Sequence, residues 1–210
     1  MKKVAFLLSI GLGWASASFA AGNMPEGNAA AGEKNTLVCG ACHGADGNGM
    51  APFPKLAGQG AKYLYKQLVD IRDGARVIPT MLGQLDGKSD QDLADLAAYY
   101  AAQSGTLGKT DPELLELGRK VYRAGVASRG VAACTACHSP TGQGNAPAGY
   151  PALSGQHAQY IADQLRAYRQ GYEDPAGRTN DGDTKIMRTI AFGLSDKEIE
   201  AVASYAAGLH

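Results

Sequence analysis

Four cysteines and the two histidines beside them are the residues best equipped for chemistry in this chain. Cys39-Gly40-Ala41-Cys42-His43 returns as Cys134-Thr135-Ala136-Cys137-His138. C-x-x-C-H is the attachment motif of a c-type haem. Two thiols about one helical turn apart can add to the two vinyl groups of one porphyrin and form thioethers. The adjacent histidine then lies beneath the iron and supplies an axial nitrogen. Other uses of a C-x-x-C pair fit less well. Zinc ribbons place their second pair roughly 15–20 residues on, whereas these motifs stand 95 residues apart. A thioredoxin-like redox pair has no need of a following histidine. The two motifs use all four cysteines, so none is left for a disulfide. The expected cofactors are two haem c groups, held by Cys39 and Cys42 and by Cys134 and Cys137, with His43 and His138 as axial ligands.

The ligand on the opposite face of each iron separates a carrier from a catalyst. Histidine–methionine ligation saturates the metal and suits electron transfer, whereas an open position suits oxygen or peroxide chemistry. Beyond the initiator the chain has four methionines: Met24, Met50, Met81 and Met187. Met24 falls in an N-terminal stretch expected to be mobile, and Met50 follows His43 too closely to reach over the ring. Met81 and Met187 each precede a Ser-led helix start by eight residues. A methionine is often only a core filler, but equivalent placement in both halves assigns Met81 and Met187 as the second axial ligands. His157 has no counterpart in the first half and His210 ends the chain, so both read as surface histidines. Pro54 and Pro151 occupy matching positions. A carbonyl there could accept the ring N–H of the motif histidine, or the prolines could simply shape a loop.

These residues are positioned by a duplicated unit. Leu56-Ala57-Gly58-Gln59 recurs as Leu153-Ser154-Gly155-Gln156, and Tyr63, Gln67 and Arg72 recur as Tyr160, Gln164 and Arg169, all at an offset of 97. Further on, Gly87-Lys88-Ser89-Asp90 matches Gly193-Leu194-Ser195-Asp196 at an offset of 106. Each unit reads as helical, with no alternating strand pattern. The first is expected to carry helices near residues 29–38 and 61–73 and a last helix opened by Ser89-Asp90-Gln91-Asp92, a capping box. Leu93, Leu96, Ala97 and Tyr100 give that helix one apolar face. The second unit opens at Asp111-Pro112-Glu113 and closes with the Ser195/Glu198 box, Ile199, Val202 and Ala203 facing inward. Gly32 and Gly118, in the first helices, are expected to let Tyr99 and Tyr205 of the last helices pack closely. The second unit's extra segment, 172–186, is rich in Asp, Gly and Asn and reads as a surface loop. The fold class is therefore all-α: two tandem domains at 21–104 and 111–210, joined by a small-residue linker at 105–110.

Residues 1–20 read as a secretory signal peptide. Lys2 and Lys3 precede an apolar run from Val4 to Trp14, and Ser18 and Ala20 stand at the −3 and −1 positions of a cleavage site. The run is shorter than the roughly 20 residues a membrane-spanning helix needs. Removal of this segment leaves 18 basic and 20 acidic residues, with no clustered basic patch of the kind nucleic acid requires. Residues 21–105 carry 7 basic and 9 acidic groups and residues 106–210 carry 11 of each, so docking polarity is not legible from totals.

Two C-x-x-C-H units behind a signal peptide, each followed by a single methionine before a C-terminal helix, resemble the c4-type dihaem cytochromes, which are built from two class I cytochrome c domains. The resemblance covers essentially the whole chain after the signal. It implies a periplasmic electron carrier, soluble or loosely held at the inner membrane, that passes electrons from a donor such as a bc1-type complex toward a terminal oxidase. It also implies domains that face each other across a pseudo-twofold axis, with haem propionates near the interface. No nucleic acid and no small-molecule substrate is expected, and the chain is expected not to be an enzyme. Similar subunits also accept electrons within flavocytochrome-type dehydrogenases, for example in sulfide oxidation. A small dihaem peroxidase would need one haem with a displaceable ligand, which the paired Met81 and Met187 argue against.

Overall fold

The computed structural model describes residues 24–210, so the signal-peptide reading of residues 1–20 lies outside the described residues. Helices account for the regular structure. Among the described residues, β pairing is confined to two isolated bridges, Val126 with Val131 and Asn145 with Tyr150. In the first unit the helices are α1 (Ala29–Glu33), α2 (Leu37–His43), α3 (Ala61–Arg72) and α4 (Asp90–Ala101). In the second they are α5 (Leu115–Ala124), α6 (Thr135–His138), α7 (Ala158–Glu173), α8 (Ile186–Phe192) and α9 (Asp196–Ala207).

The helix expected over 29–38 is two helices. The Asn28 side chain caps α1 by accepting from the Ala31 N–H, and the chain turns at Lys34–Thr36 before α2 begins. The motif of the first unit therefore lies on a helix of its own. The first helix of the second unit starts later than Asp111-Pro112 suggested. Asp111 accepts from the Glu113 N–H in a turn, and the helix proper begins at Leu115. Both capping boxes form. The Ser89 and Ser195 hydroxyls accept from the third-residue N–H, and the Asp92 and Glu198 carboxylates reach back to the serine N–H. Two otherwise unpaired donors are thereby satisfied at each helix start.

The two halves pack alike. α1 lies on α4 as α5 lies on α9, and α3 lies on α4 as α7 lies on α9. One core gathers around Leu64, Leu93, Leu96 and Tyr100, the other around Tyr122, Ile161, Ile199 and Val202. Glycine makes the first and last helices meet. A Cβ on Gly32 would fall 2.1 Å from the Asp95 carbonyl oxygen, and one on Gly118 would fall 2.3 Å from that of Ala201. In the second half the Gly118 position is also 2.6 Å from Tyr205 Cβ, as expected, whereas the atoms nearest Gly32 are the α4 backbone of Asp95 and Leu96.

The halves differ between the middle helix and the last. Met81 sits in a 3₁₀ turn, Pro79–Met81, whereas Met187 is carried on α8, which also packs on α7. The segment 172–186 is only partly a surface loop. Its first two residues finish α7, and Arg178 and Asn180 are buried, because their polar atoms are satisfied across the domain interface.

Candidate haem sites and the interface between them

His43 ends α2 and His138 ends α6, so each motif presents its imidazole from the last turn of a short helix. Both rings are buried. His43 Nδ1 lies 2.9 Å from the Pro54 carbonyl oxygen, and His138 Nδ1 lies 2.9 Å from that of Pro151. A carbonyl only accepts, so Nδ1 carries the proton in both rings and Nε2 keeps its lone pair. Burial lowers both imidazole pKa values from their ordinary range, and the carbonyl only partly offsets it. The rings are thus held neutral, which is the metal-binding form. The matched prolines therefore do more than shape a loop.

The Cys134 thiol is pushed up to about 11, chiefly by burial. A reactive redox thiol needs the opposite shift, toward the thiolate, so the burial of Cys134 argues against a thioredoxin-like role, as the following histidine does. Among the described residues no cluster of three or more Cys, His, Asp and Glu side chains is arranged to hold a bare metal ion.

All the residues that the sequence picked out line one cavity of about 2040 Å³: Cys39, Cys42, His43 and Met81 from the first domain, and Cys134, Cys137, His138 and Met187 from the second. That volume is roughly twice the upper end for a pocket holding one small ligand. Met81 and Met187 pack at the edges of their respective cores. Met50, too close to His43 in sequence to reach over the ring, is exposed. Met24, expected in a mobile stretch, packs instead against the first core and lines the same cavity. The buried Tyr100 hydroxyl also lines it and has no hydrogen-bond partner among the described residues.

The surroundings suit a group with carboxylate arms. Arg76 and Arg178 are buried at the domain interface, and both face the cavity. Each holds its backbone N–H on an equivalent carbonyl, Asp70 and Ala167. Their guanidinium groups form a reciprocal cluster. Arg76 donates to Gln67, Gln164 and Tyr160. Arg178 donates to Gln164, Gln67 and Asn180, with its guanidinium 4.3 Å above the Tyr168 ring. Among the described residues neither arginine pairs with a carboxylate. Burial would raise the Tyr63 phenol pKa, yet Arg178 and Arg76 beside it outweigh that and bring it below its usual value. Two buried cations answered only by neutral oxygens favour an anion in the cavity. A pair of haems, each with an apolar ring and acidic arms, fits this donor set.

Sequence reasoning missed both arginines. The signal was there, in Gly-Ala-Arg before Met81 and Ala-Gly-Arg before Met187, but the insertion changes their separation and hides the match. His157, read as a surface histidine, instead reaches across the interface, with Nε2 2.7 Å from the Gly49 carbonyl oxygen. His210 is exposed, as expected of a chain end.

Two helical units wrapped around a shared cavity, each offering a C-x-x-C-H helix and a buried neutral imidazole, define a dihaem c-type cytochrome. The family model for cytochrome c matches residues 27–102 and 115–209. A cytochrome c4 from Pseudomonas aeruginosa is 54% identical over 99% of this chain and 98% of its own. The crystal structure of reduced recombinant cytochrome c4 from Pseudomonas stutzeri superposes with a TM-score of 0.83 at 52% identity, over 88% of this chain and 100% of that one. A thiosulfate dehydrogenase electron acceptor from Stutzerimonas stutzeri is 41% identical over 82% of this chain and 79% of its own. The chain belongs to the cytochrome c family, within the cytochrome c4 group. It has two cytochrome c domains and two covalently bound haem c groups, and it is an electron carrier that works with redox protein partners.

Proposed function

We propose that the chain carries electrons in the periplasm between respiratory complexes and delivers them to a terminal oxidase, through two sites ligated alike. Cys39 and Cys42 tether the first haem between His43 and Met81, and Cys134 and Cys137 tether the second between His138 and Met187. The observation that carries this reading is the paired orientation of the motif histidines. Each spends Nδ1 on a proline carbonyl and keeps Nε2 for a metal, inside a cavity that the two repeat-related methionines also line. When bound, haem supplies an iron that takes up and releases one electron. The protein does the rest. Saturating both faces keeps substrates off the metal and leaves little to reorganise on transfer. Arg76 and Arg178, buried cations that line the cavity, would receive the acidic arms, and the two cores would exclude water from the rings.

On this reading the domains span 21–104 and 111–210 around a linker at 105–110, and residues 1–20 are a signal removed on export. Among the described residues no helix is long and apolar enough to cross a membrane, which fits a soluble protein or one loosely held at the inner membrane. Three measurements test the proposal. Haem quantitation should give two covalently bound porphyrins in periplasmic extracts, and the ferric spectrum should show a methionine–iron band accounting for both. The reduced protein should then sustain oxidase turnover. A band accounting for one haem, or a failure to feed an oxidase, would overturn it.

A second reading has a specific observation behind it. The relative named as a thiosulfate dehydrogenase electron acceptor is similar over most of this chain, which supports a role as acceptor for a dehydrogenase of sulfur compounds. Rapid reduction by such a dehydrogenase, but not by a bc1-type complex, would favour it.

A further inference from the structure

The two domains are held together by a pair of glutamines that the repeat makes equivalent. Gln156 accepts from the Lys55 N–H at 3.0 Å and donates to the Lys55 carbonyl at 2.9 Å. Gln59 accepts from the Ala152 N–H at 2.7 Å and donates to the Ala152 carbonyl at 2.9 Å. Each amide thus grips one residue of the opposite domain on both its backbone groups. These four bonds cross the interface, while each amide oxygen also accepts from the next residue of its own domain, Gly60 or His157, and Gln59 and Gln156 are both buried.

The gripped residues are the ones that follow Pro54 and Pro151. One peptide group, 54–55, therefore accepts the His43 Nδ1–H on its oxygen and donates its N–H to Gln156. The other, 151–152, accepts from His138 and donates to Gln59. Donation from an amide nitrogen pushes charge onto its carbonyl oxygen and makes that oxygen a stronger acceptor, because hydrogen bonds in series polarise one another. A stronger acceptor at Nδ1 makes the imidazole a more electron-rich ligand at Nε2.

We infer that each glutamine tunes the haem of the opposite domain. Gln59 acts through the 151–152 peptide on His138, and Gln156 acts through the 54–55 peptide on His43. The inference rests on the ligation by His43 and His138 proposed above. It makes domain docking a determinant of both reduction potentials, because the glutamine bonds exist only while the domains touch. An electron-rich imidazole favours the ferric state, so each bond holds the opposite haem's potential down.

The test uses the holoprotein with both haems attached. Redox titration is followed by proton NMR, which separates the haem methyl signals of the two domains. Gln59→Leu should raise the potential of the second haem by up to about tenfold in its one-electron equilibrium, about 59 mV, and leave the first nearly unchanged. Gln156→Leu should do the reverse. Loosening of the interface alone would move both haems in either variant. Equal shifts, a shift confined to the variant's own domain, or no shift at all would each overturn the inference. Should a leucine variant fail to load haem, Gln59→Met and Gln156→Met keep the chain length and are judged by the same crossed pattern. The unaltered protein separates the two levels. Loss of histidine ligation there removes the proposed sites and this inference together, whereas intact ligation with uncrossed shifts removes this inference alone.

Discussion

A histidine can offer a metal only the ring nitrogen not already spent on a hydrogen bond. In both domains that choice is made by a proline carbonyl 2.9 Å from Nδ1. The motif spelled out the cysteines and histidines, but the identity of the acceptor needed coordinates, since a matched proline also serves simply to bend a chain. The methionines drew notice by their constant distance to the capping boxes, and both line the cavity, Met81 from a 3₁₀ turn and Met187 from a helix. Removing one sulfur should open one iron and spare the other. Met187→Ala is expected to let added imidazole or cyanide bind the second haem only, with half of the methionine–iron absorbance lost, as read in a spectral titration. Met81→Ala should act likewise on the first haem. An unchanged spectrum would exclude the substituted sulfur as a ligand.

Helices place these residues, and their ends were more legible than their crossings. Ser89/Asp92 and Ser195/Glu198 announced the last helix of each domain because a capping box is written in adjacent residues. The break between α1 and α2 was not legible, since nothing in Lys34–Thr36 forbids a continuous helix. Ser195→Ala should cost about 1 kcal/mol of stability, measured by denaturant unfolding of the holoprotein. The partner carboxylate adds a pH dependence. Partial burial would raise the Glu198 pKa, but the bonds from Ser195 and the Arg129 charge outweigh it and hold the group below its usual value. A lowered folded-state pKa stabilises above the unfolded value, about 4.3, and that contribution is lost as the pH falls through the folded value. The stability gap between the wild type and Glu198→Gln should therefore be widest near neutrality and close in acid. Gly118→Ala should cost more, about 3 kcal/mol, because the added Cβ meets the Ala201 carbonyl at 2.3 Å and the α9 backbone must give way.

At the scale of the whole molecule, the repeat announced two domains, but their mutual contact was hidden. The change of offset from 97 to 106 falls between Gly74 and Ser89. It therefore masks the equivalence of Arg76 and Arg178, whose burial depends on two surfaces meeting. Gln67 and Gln164 were visible as a repeated pair, yet nothing in a single domain requires them; each accepts from both arginines. The resulting cluster belongs to neither domain, so its charge acts on both sites. A buried cation opposes the extra positive charge of a ferric iron and raises the potential of each haem that feels it. Arg178→Gln should accordingly lower both potentials, by on the order of 1 kcal/mol each for a unit charge at an effective dielectric of about 20. This is the opposite sign to loss of an interface glutamine, and it affects two haems instead of one. The same substitution leaves acidic haem arms with one cation fewer, so the interface should also loosen, seen as a larger radius of gyration in solution scattering. If Arg178→Gln shifted only the second haem, or shifted both upward, the cluster would not be the shared charge that the reciprocal bonds describe.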